Sequence, residues 1–492
     1  MAVPSSFAAS AQKPITFGTD GWRGVIAADF TFERLIRVAP LAAKALEQTY
    51  GTPTSNRTII VGYDRRFLSE EFASTTAEVV RAAGYDVMLS ESYAPTPAFS
   101  WAAKQQNALG ALVITASHNP GIYSGLKIKG AFGGSVPPEV TQKVEAMLQQ
   151  SEGLPAAEEG SLQTFNPWQS YCEALRGKVD IEAIQNAIVE KQLTVFADVM
   201  HGAAAGGLSQ LLGTPIQEIS SDRDPLFEGG APEPLPRYLP NLFRAMKEHR
   251  QQAEAGGTAG LSVGLVFDGD SDRIAAVDGQ GHFLSSQVLI PVLIEHLAVN
   301  RGFEGEVIKT ISGSNLMPKV AQLYNRSVYE TPIGYKYIAD RMLEAKVMLG
   351  GEESGGIGYG NHIPERDALL SALYVLEAIV QSGMDLSDLY RRLQEKTNYF
   401  SAYDRTDLPL ASMEVRSRLL EQLQNNPPQE IAGQAVLDCL TVDGYKFQLA
   451  NQSWLLIRFS GTEPVLRLYS EALTAAEVRQ NLAWAEKWAG IA

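Results

Sequence analysis

Residues 113–120 read VITASHNP. An apolar run that suits a buried strand ends there on Ser117 and His118, followed by an Asn-Pro turn. Open α/β sheets place their chemistry at the carboxyl ends of strands, which makes Ser117 a candidate nucleophile. The same residues have a plainer use, since Ser117 and Asn119 satisfy backbone groups where a strand gives way to a turn. A second stretch, VFDGDSDR, alternates Asp268, Asp270 and Asp272 directly after an apolar run. Three carboxylates this close repel one another, and hard oxygen ligands of this type suit Mg²⁺. An EF-hand would need Gly and Glu where Arg273 and Gly279 stand, so that reading fails. A solvated acidic turn is the alternative, and the buried-looking VGLVF before it argues against one.

Two further loops offer groups that bind. MLGGEESGGIGY, at 348–359, sets Glu352, Glu353 and Ser354 among glycines. Glycine lets backbone approach a ligand closely, and carboxylate and hydroxyl groups match the vicinal hydroxyls of a sugar. IRFSGTEPVLRLY, at 457–469, presents Arg458, Ser460, Gly461 and Thr462, with Arg467 to reinforce them. A guanidinium fork, hydroxyls and open backbone N–H groups are the equipment of a phosphate nest. Near the start, FGTDGWRG adds a Gly-rich turn carrying Arg23. Each loop alone also fits an ordinary turn. Jointly they supply a nucleophile, a divalent-cation site, a polyol loop and a phosphate loop, the parts needed to move a phosphoryl group on a sugar phosphate.

These loops need a scaffold, and the chain reads as alternating strands and helices. Strands are expected at 58–64, 111–116, 193–199, 261–268 and 305–311, with helical periodicity in TFERLIRVAPLAAKALEQTY and EEFASTTAEVVRAAG between them. That pattern implies α/β domains with mixed or parallel sheets. The last ninety or so residues look smaller and separate, with NQSWLLIRFS as a strand and LTAAEVRQNLAWAEKWA as a closing helix. A chain of 492 residues exceeds one hydrophobic core. Four domains are expected, at 1–155, 156–280, 281–395 and 396–492.

Composition narrows the class. The net charge of −15 opposes a nucleic-acid or anionic-membrane surface, so an anionic ligand must meet a local basic cluster. Cys172 and Cys439 match no metal or disulfide spacing, which favours a reducing compartment. The lead MAVPSSFAASAQKP lacks a basic n-region and a continuous apolar stretch, and reads as a short flexible lead rather than a signal peptide. VLIPVLIEHLAV, at 288–299, is short and carries Glu295 and His296, so it reads as a buried helix. A cytoplasmic protein without nucleic-acid or membrane partners is the expectation.

Over essentially the whole chain the sequence resembles the α-D-phosphohexomutase family. TASHNP resembles its phosphoserine loop, DGDSDR its metal loop, GEESGG its sugar loop and RFSGTEP its phosphate loop, in family order. The resemblance implies four domains around a central active-site cleft, three related α/β domains with mixed sheets and a smaller α+β C-terminal one. It implies a serine phosphorylated in the active enzyme, here Ser117, which with Asp268, Asp270 and Asp272 binds Mg²⁺. Arg23, His118, Lys127 and Arg273 then surround the transfer centre. Lys127 is the general acid/base, on condition that neighbouring cations lower its pKa. Glu352 and Ser354 grip sugar hydroxyls, while Arg458, Ser460, Gly461 and Thr462, with Gly334 and Lys336, hold the phosphate that is not reacting.

The implied activity is a phosphoglucomutase working through glucose 1,6-bisphosphate as activator and intermediate, on small-molecule sugar phosphates, as monomer or homodimer. Phosphomannomutase, dual-specificity mutase and bisphosphate synthase share the chemistry; a non-catalytic sugar-phosphate binding protein and a metal-dependent phosphatase are the other classes. Two departures stand out. Ser271 occupies a position where many members have glycine, a change expected to spare the metal ligands. Gly356 stands where members acting on glucosamine, or on both glucose and mannose, often have histidine.

Overall fold

The structure is a computed structural model that describes residues 14–18, 20–54, 56–150, 158–256, 260–460 and 464–490. The lead before residue 14, most of the first expected domain boundary, and Gly461 and Thr462 lie outside the described residues. By contacts the chain divides into two compact units. One runs to Phe283 and includes Gly355–Asp385; the other comprises Leu284–Ser354 and Leu386 onward.

In the first unit, the continuous apolar runs form strands buried on both faces, as parallel pairing between helical layers requires. Strands Thr58–Tyr63 and Gly110–Ile114 pair in parallel, from Ile59 opposite Gly110 to Tyr63 opposite Ile114. Their carboxyl ends therefore finish side by side. Tyr123–Gly130 returns antiparallel to Gly110–Ile114, setting Lys127 opposite Val113. Its other edge pairs with Trp22–Val25, setting Arg23 opposite Gly125. Helices Phe32–Thr54, Ser69–Ala82 and Pro138–Gln149 bury their apolar stripes on this sheet, around Leu35, Phe72, Val80 and Val144.

A second sheet in the same unit places Leu193–Asp198 parallel to Leu261–Phe267. Leu261–Phe267 then turns into the antiparallel strand Ile274–Val277. The turn between them is the run Asp268–Arg273. Helix Ala368–Ser382 starts on Asp367, whose side chain accepts the Leu370 amide, a standard cap for orphan N–H groups.

In the second unit, Glu306–Thr310 pairs in parallel with both Val328–Thr331 and Val347–Gly351. The last module is an antiparallel sheet ordered Ala402–Pro409, Val465–Ala472, Trp454–Phe459, Tyr445–Leu449, Gln434–Leu440, Glu430–Ile431. It is closed by helix Ala475–Trp488, which opens on a capping box between Thr474 and Glu477. This module has its own core around Phe447, Ile457 and Leu468. It nonetheless belongs to one unit with the third module, because buried polar groups tie them: Lys446 Nζ donates to the Ile311 carbonyl at 2.6 Å, and Glu471 accepts from the Asn315 amide at 2.8 Å. The apolar stretch at 288–299 is the buried helix Ser286–Val299, with Pro291 inside it. Among the described residues no single helix is long and apolar enough to cross a membrane.

Candidate active site

Thr115 to Pro120 leave the end of the Gly110–Ile114 strand as a tight loop in which Ser117 takes a left-handed backbone, φ +53°. That conformation is costly for a residue with a Cβ and persists only where the surroundings over-determine it. Here they do. The Ser117 amide donates to Thr115 Oγ1 at 2.9 Å, and the buried Arg66 guanidinium donates to the carbonyls of Ser117 (2.5 Å), Asn119 (2.7 Å), Pro120 (3.1 Å) and Tyr123 (3.1 Å). Asp64 in turn pairs with Arg66 Nε at 3.2 Å. The parallel pairing explains this: Asp64–Arg66 follow Tyr63 just as Thr115–Ser117 follow Ile114, so one turn braces the other.

Arg66→Met should therefore free the loop and leave Asp64 a buried, unpaired carboxylate. Breaking such a pair costs about 3–5 kcal/mol. A first thermal transition several degrees lower is the expected readout, and an unshifted curve would count against the bracing role.

The metal-loop residues meet this serine. Asp268 Oδ1 accepts the backbone amides of Asp272 and Arg273, each at 3.0 Å, while Oδ2 lies 3.1 Å from Ser117 Oγ. Gly269 is required by close approach, because a Cβ there would sit 2.4 Å from the Ser117 carbonyl oxygen. All three aspartates are fully buried, and one oxygen from each lies within 4.8 Å of the others. Burial together with Asp272 and Asp270 pushes the Asp268 carboxyl well above its ordinary range. Asp270 Oδ1 and Asp272 Oδ1 have no hydrogen-bond partner among the described residues. A converging, all-oxygen, incompletely satisfied donor set fits a hard divalent cation. Ser271 keeps this geometry at φ +58°, a backbone glycine would adopt without strain.

Lys127, in the strand beside, places Nζ 2.7 Å from Asp20 Oδ2 and 2.8 Å from both Asp270 Oδ2 and Asp272 Oδ2. This corrects the expected direction of its pKa. Burial would lower it, but the three carboxylates outweigh burial and hold the ammonium above the ordinary lysine range. His118 behaves oppositely: burial, then the Arg273 and Arg23 guanidinium groups, push its pKa well below the usual value. Its neutral ring sets Nδ1 3.3 Å from Ser117 Oγ. Arg23 donates to the Asn119 side-chain oxygen at 2.5 Å, tying the first Gly-rich turn to the serine loop.

Three residues that the sequence reading passed over belong to this site. Thr96 Oγ1 donates to Asp270 Oδ2 at 2.5 Å, and Arg366 Nη2 reaches Asp20 Oδ2 at 2.6 Å and Asp272 Oδ2 at 2.7 Å. Asp20, held well below the carboxylate range by Lys127, Lys129 and Arg366 against its burial, joins these charges. Asp20 was visible inside FGTDGWRG; Thr96 and Arg366 carry no local signal.

The second unit holds the remaining candidates. Glu352 is buried where strand Val347–Gly351 ends, and the neighbouring Glu353 pairs with Arg405 Nη1 at 2.7 Å, tying the Gly-rich loop to the last sheet. Ser354 follows in that loop, partly buried. Arg458 and Arg467 face each other across adjacent strands. Asp443 pairs with Arg458 Nε at 3.0 Å and Asp407 stands opposite Arg467 on its other edge, while Arg467 Nε is buried with no hydrogen-bond partner among the described residues. The Ser460 backbone amide donates to the Val465 carbonyl at 3.0 Å. Gly334, at φ +136°, precedes helix Tyr335–Glu344, whose first turn carries Lys336.

Family models for phosphoglucomutase/phosphomannomutase match four successive segments: α/β/α domain I over residues 14–154, domain II over 169–281, domain III over 285–397 and the C-terminal domain over 414–483. A "Phosphoglucomutase/phosphomannomutase" of Thermococcus kodakarensis is 28% identical over 95% of this chain and 96% of its own. A "Phosphoglucosamine/phosphogalactosamine mutase" of Sulfurisphaera tokodaii is 28% identical over 93% and 95%. A solved structure from Thermus thermophilus, named as a phosphomannomutase, is 31% identical with a TM-score of 0.81, covering 97% of this chain and 99% of that one. With its serine loop, aspartate cluster and all four modules in order, the chain belongs to the phosphoglucomutase/phosphomannomutase family, the α-D-phosphohexomutases, and is an enzyme of the mutase kind.

Proposed function

We propose that the enzyme is a phosphoglucomutase that interconverts α-D-glucose 1-phosphate and glucose 6-phosphate through glucose 1,6-bisphosphate. The observation that carries this reading is Ser117 Oγ, held on a braced loop 3.1 Å from Asp268 in the buried aspartate cluster. Phosphorylated on Oγ, Ser117 gives its phosphoryl group to the free hydroxyl of the sugar phosphate: the Oγ–P bond breaks and a sugar O–P bond forms. The bisphosphate then turns, and its other phosphoryl group returns to Ser117. Lys127 lacks the lowered pKa expected of it and enters this step as the ammonium: it protonates the departing oxygen and, once deprotonated, recovers a proton from the attacking hydroxyl. His118, neutral, accepts or donates at Oγ without adding charge. Arg23 and Arg273 supply positive charge to the moving group.

Asp268, Asp270 and Asp272, with Ser117, would hold Mg²⁺, which when bound neutralises the charge carried by the transferring phosphoryl group. Glu352 and Ser354 hold the sugar hydroxyls. Gly334, Lys336, Arg458, Ser460, Gly461, Thr462 and Arg467 hold the phosphate that is not reacting, and the facing guanidinium pair supports that assignment.

Glucose is assigned over other hexoses because the sugar loop ends on Gly356 and lacks a histidine there. The assay is turnover of glucose 1-phosphate with Mg²⁺ and a trace of glucose 1,6-bisphosphate, coupled to glucose 6-phosphate oxidation. Mannose 1-phosphate and glucosamine 1-phosphate run in parallel under their own readouts. A kcat/KM at least about tenfold higher for glucose is expected, the scale one misplaced group is worth. A faster mannose or glucosamine substrate would move the sugar and keep the chemistry.

A further inference from the structure

Asp443 lies on the turn between strands Gln434–Leu440 and Tyr445–Leu449 and in sequence belongs to none of the motifs named above. Its two oxygens face two different modules. Oδ1 accepts from Arg458 Nε at 3.0 Å, and Oδ2 accepts the backbone amide of Ile333 at 3.0 Å. Ile333 directly precedes Gly334, where helix Tyr335–Glu344 begins. One carboxylate thus spans the guanidinium of the last module and the loop that carries Gly334 and Lys336 in the third.

The surroundings fix this bridge. Gly444 has φ +96°, and a Cβ on it would lie 2.7 Å from the Ile457 carbonyl and 3.2 Å from Arg458 Cα, so the turn runs directly over the arginine. Ile333 packs against a buried cluster of Ile311, Trp454, Leu456 and Tyr469, which prevents the loop from drifting off the sheet. Because Asp443 takes the inner Nε, the outer Nη fork of Arg458 lies outside this bond. That fork is the part suited to a phosphate.

We infer that Asp443 is a positioning residue that joins the two halves of a phosphate subsite by orienting Arg458 and the 333–336 loop with one carboxylate. The inference rests on the assignment of Arg458 to phosphate. Losing a charge-assisted bond at each end should weaken phosphate binding about tenfold in Asp443→Asn, which keeps one acceptor, and up to about a hundredfold in Asp443→Ala. For a group that grips the phosphate equally throughout the reaction, KM for sugar phosphate should rise with kcat within about threefold of the parent.

The test uses the full-length protein, titrated calorimetrically with inorganic phosphate as parent, Asp443→Asn, Asp443→Ala, Arg458→Ala and the Asp443→Ala/Arg458→Ala double variant, each with a melting curve. The expected result is graded loss in the Asp443 variants and no further loss when Asp443→Ala is added to Arg458→Ala. A purely architectural role predicts lowered melting with parent-like phosphate affinity, and that outcome overturns the inference. So does full additivity in the double variant, or a parent whose phosphate binding ignores Arg458. If phosphate binding follows Asp443 and Arg458 while no hexose phosphate is turned over, the inference stands and the phosphoglucomutase reading falls.

Discussion

Ser117→Ala is expected to reduce kcat at least about a thousandfold while the variant still binds sugar phosphate. Removing the proposed carrier of the phosphoryl group would leave only positioning and electrostatics, and losses in such cases are among the largest a single side chain produces. The variant removes an oxygen from a fully buried position without touching the Arg66 brace, so a folding defect is not its predicted cause. Mass analysis of intact protein gives an independent reading: a fraction of the parent should be heavier by one phosphoryl group, and the variant should lack that species. Near-parental kcat, or a phosphorylated Ser117→Ala protein, would place the nucleophile elsewhere.

Asp270→Asn should lower kcat by about a hundredfold or more and weaken divalent-cation binding by a comparable factor. The substitution removes one negative charge from three buried carboxylates, and an amide is a poorer ligand for a hard cation. It also takes a carboxylate from Lys127 and from Thr96, which donates to Asp270 at 2.5 Å. Mn²⁺ titration followed by electron paramagnetic resonance separates the effects. Parent-like Mn²⁺ affinity with lost turnover would mean that Asp270 serves the lysine; unchanged affinity and unchanged turnover would remove it from the site.

The four loops were legible because each packs its chemistry into a few consecutive residues. The alternation of strands and helices was legible for the same reason: its periodicity is local. LTVFADV, LSVGLVFD and GEVIKTI all proved to be strands, within about two residues at each end, the usual uncertainty of element boundaries. Arg66 illustrates what was not legible. In sequence it is one of two arginines after a strand, 51 residues from Ser117, and nothing nearby marks it. Its task exists only because Thr58–Tyr63 and Gly110–Ile114 pair in parallel and in register. Thr96, Arg366 and Asp443 likewise each meet a partner across a long separation in the chain, Asp443 meeting the Ile333 amide.

Lys127 shows the limit most clearly. The family resemblance sets Lys127 among Arg23, His118 and Arg273, and a pKa lowered by those cations is the expectation that goes with it. Folding instead sets Asp20, Asp270 and Asp272 within 2.8 Å of its nitrogen. The chain by itself determined which candidate groups its loops carry and the α/β modules that hold those loops, since both follow from local residue types and periodicity. Tertiary structure decided which group stands beside which, hence the charge each one holds, because Coulomb energies and desolvation depend on distance and burial that only long-range strand pairing sets.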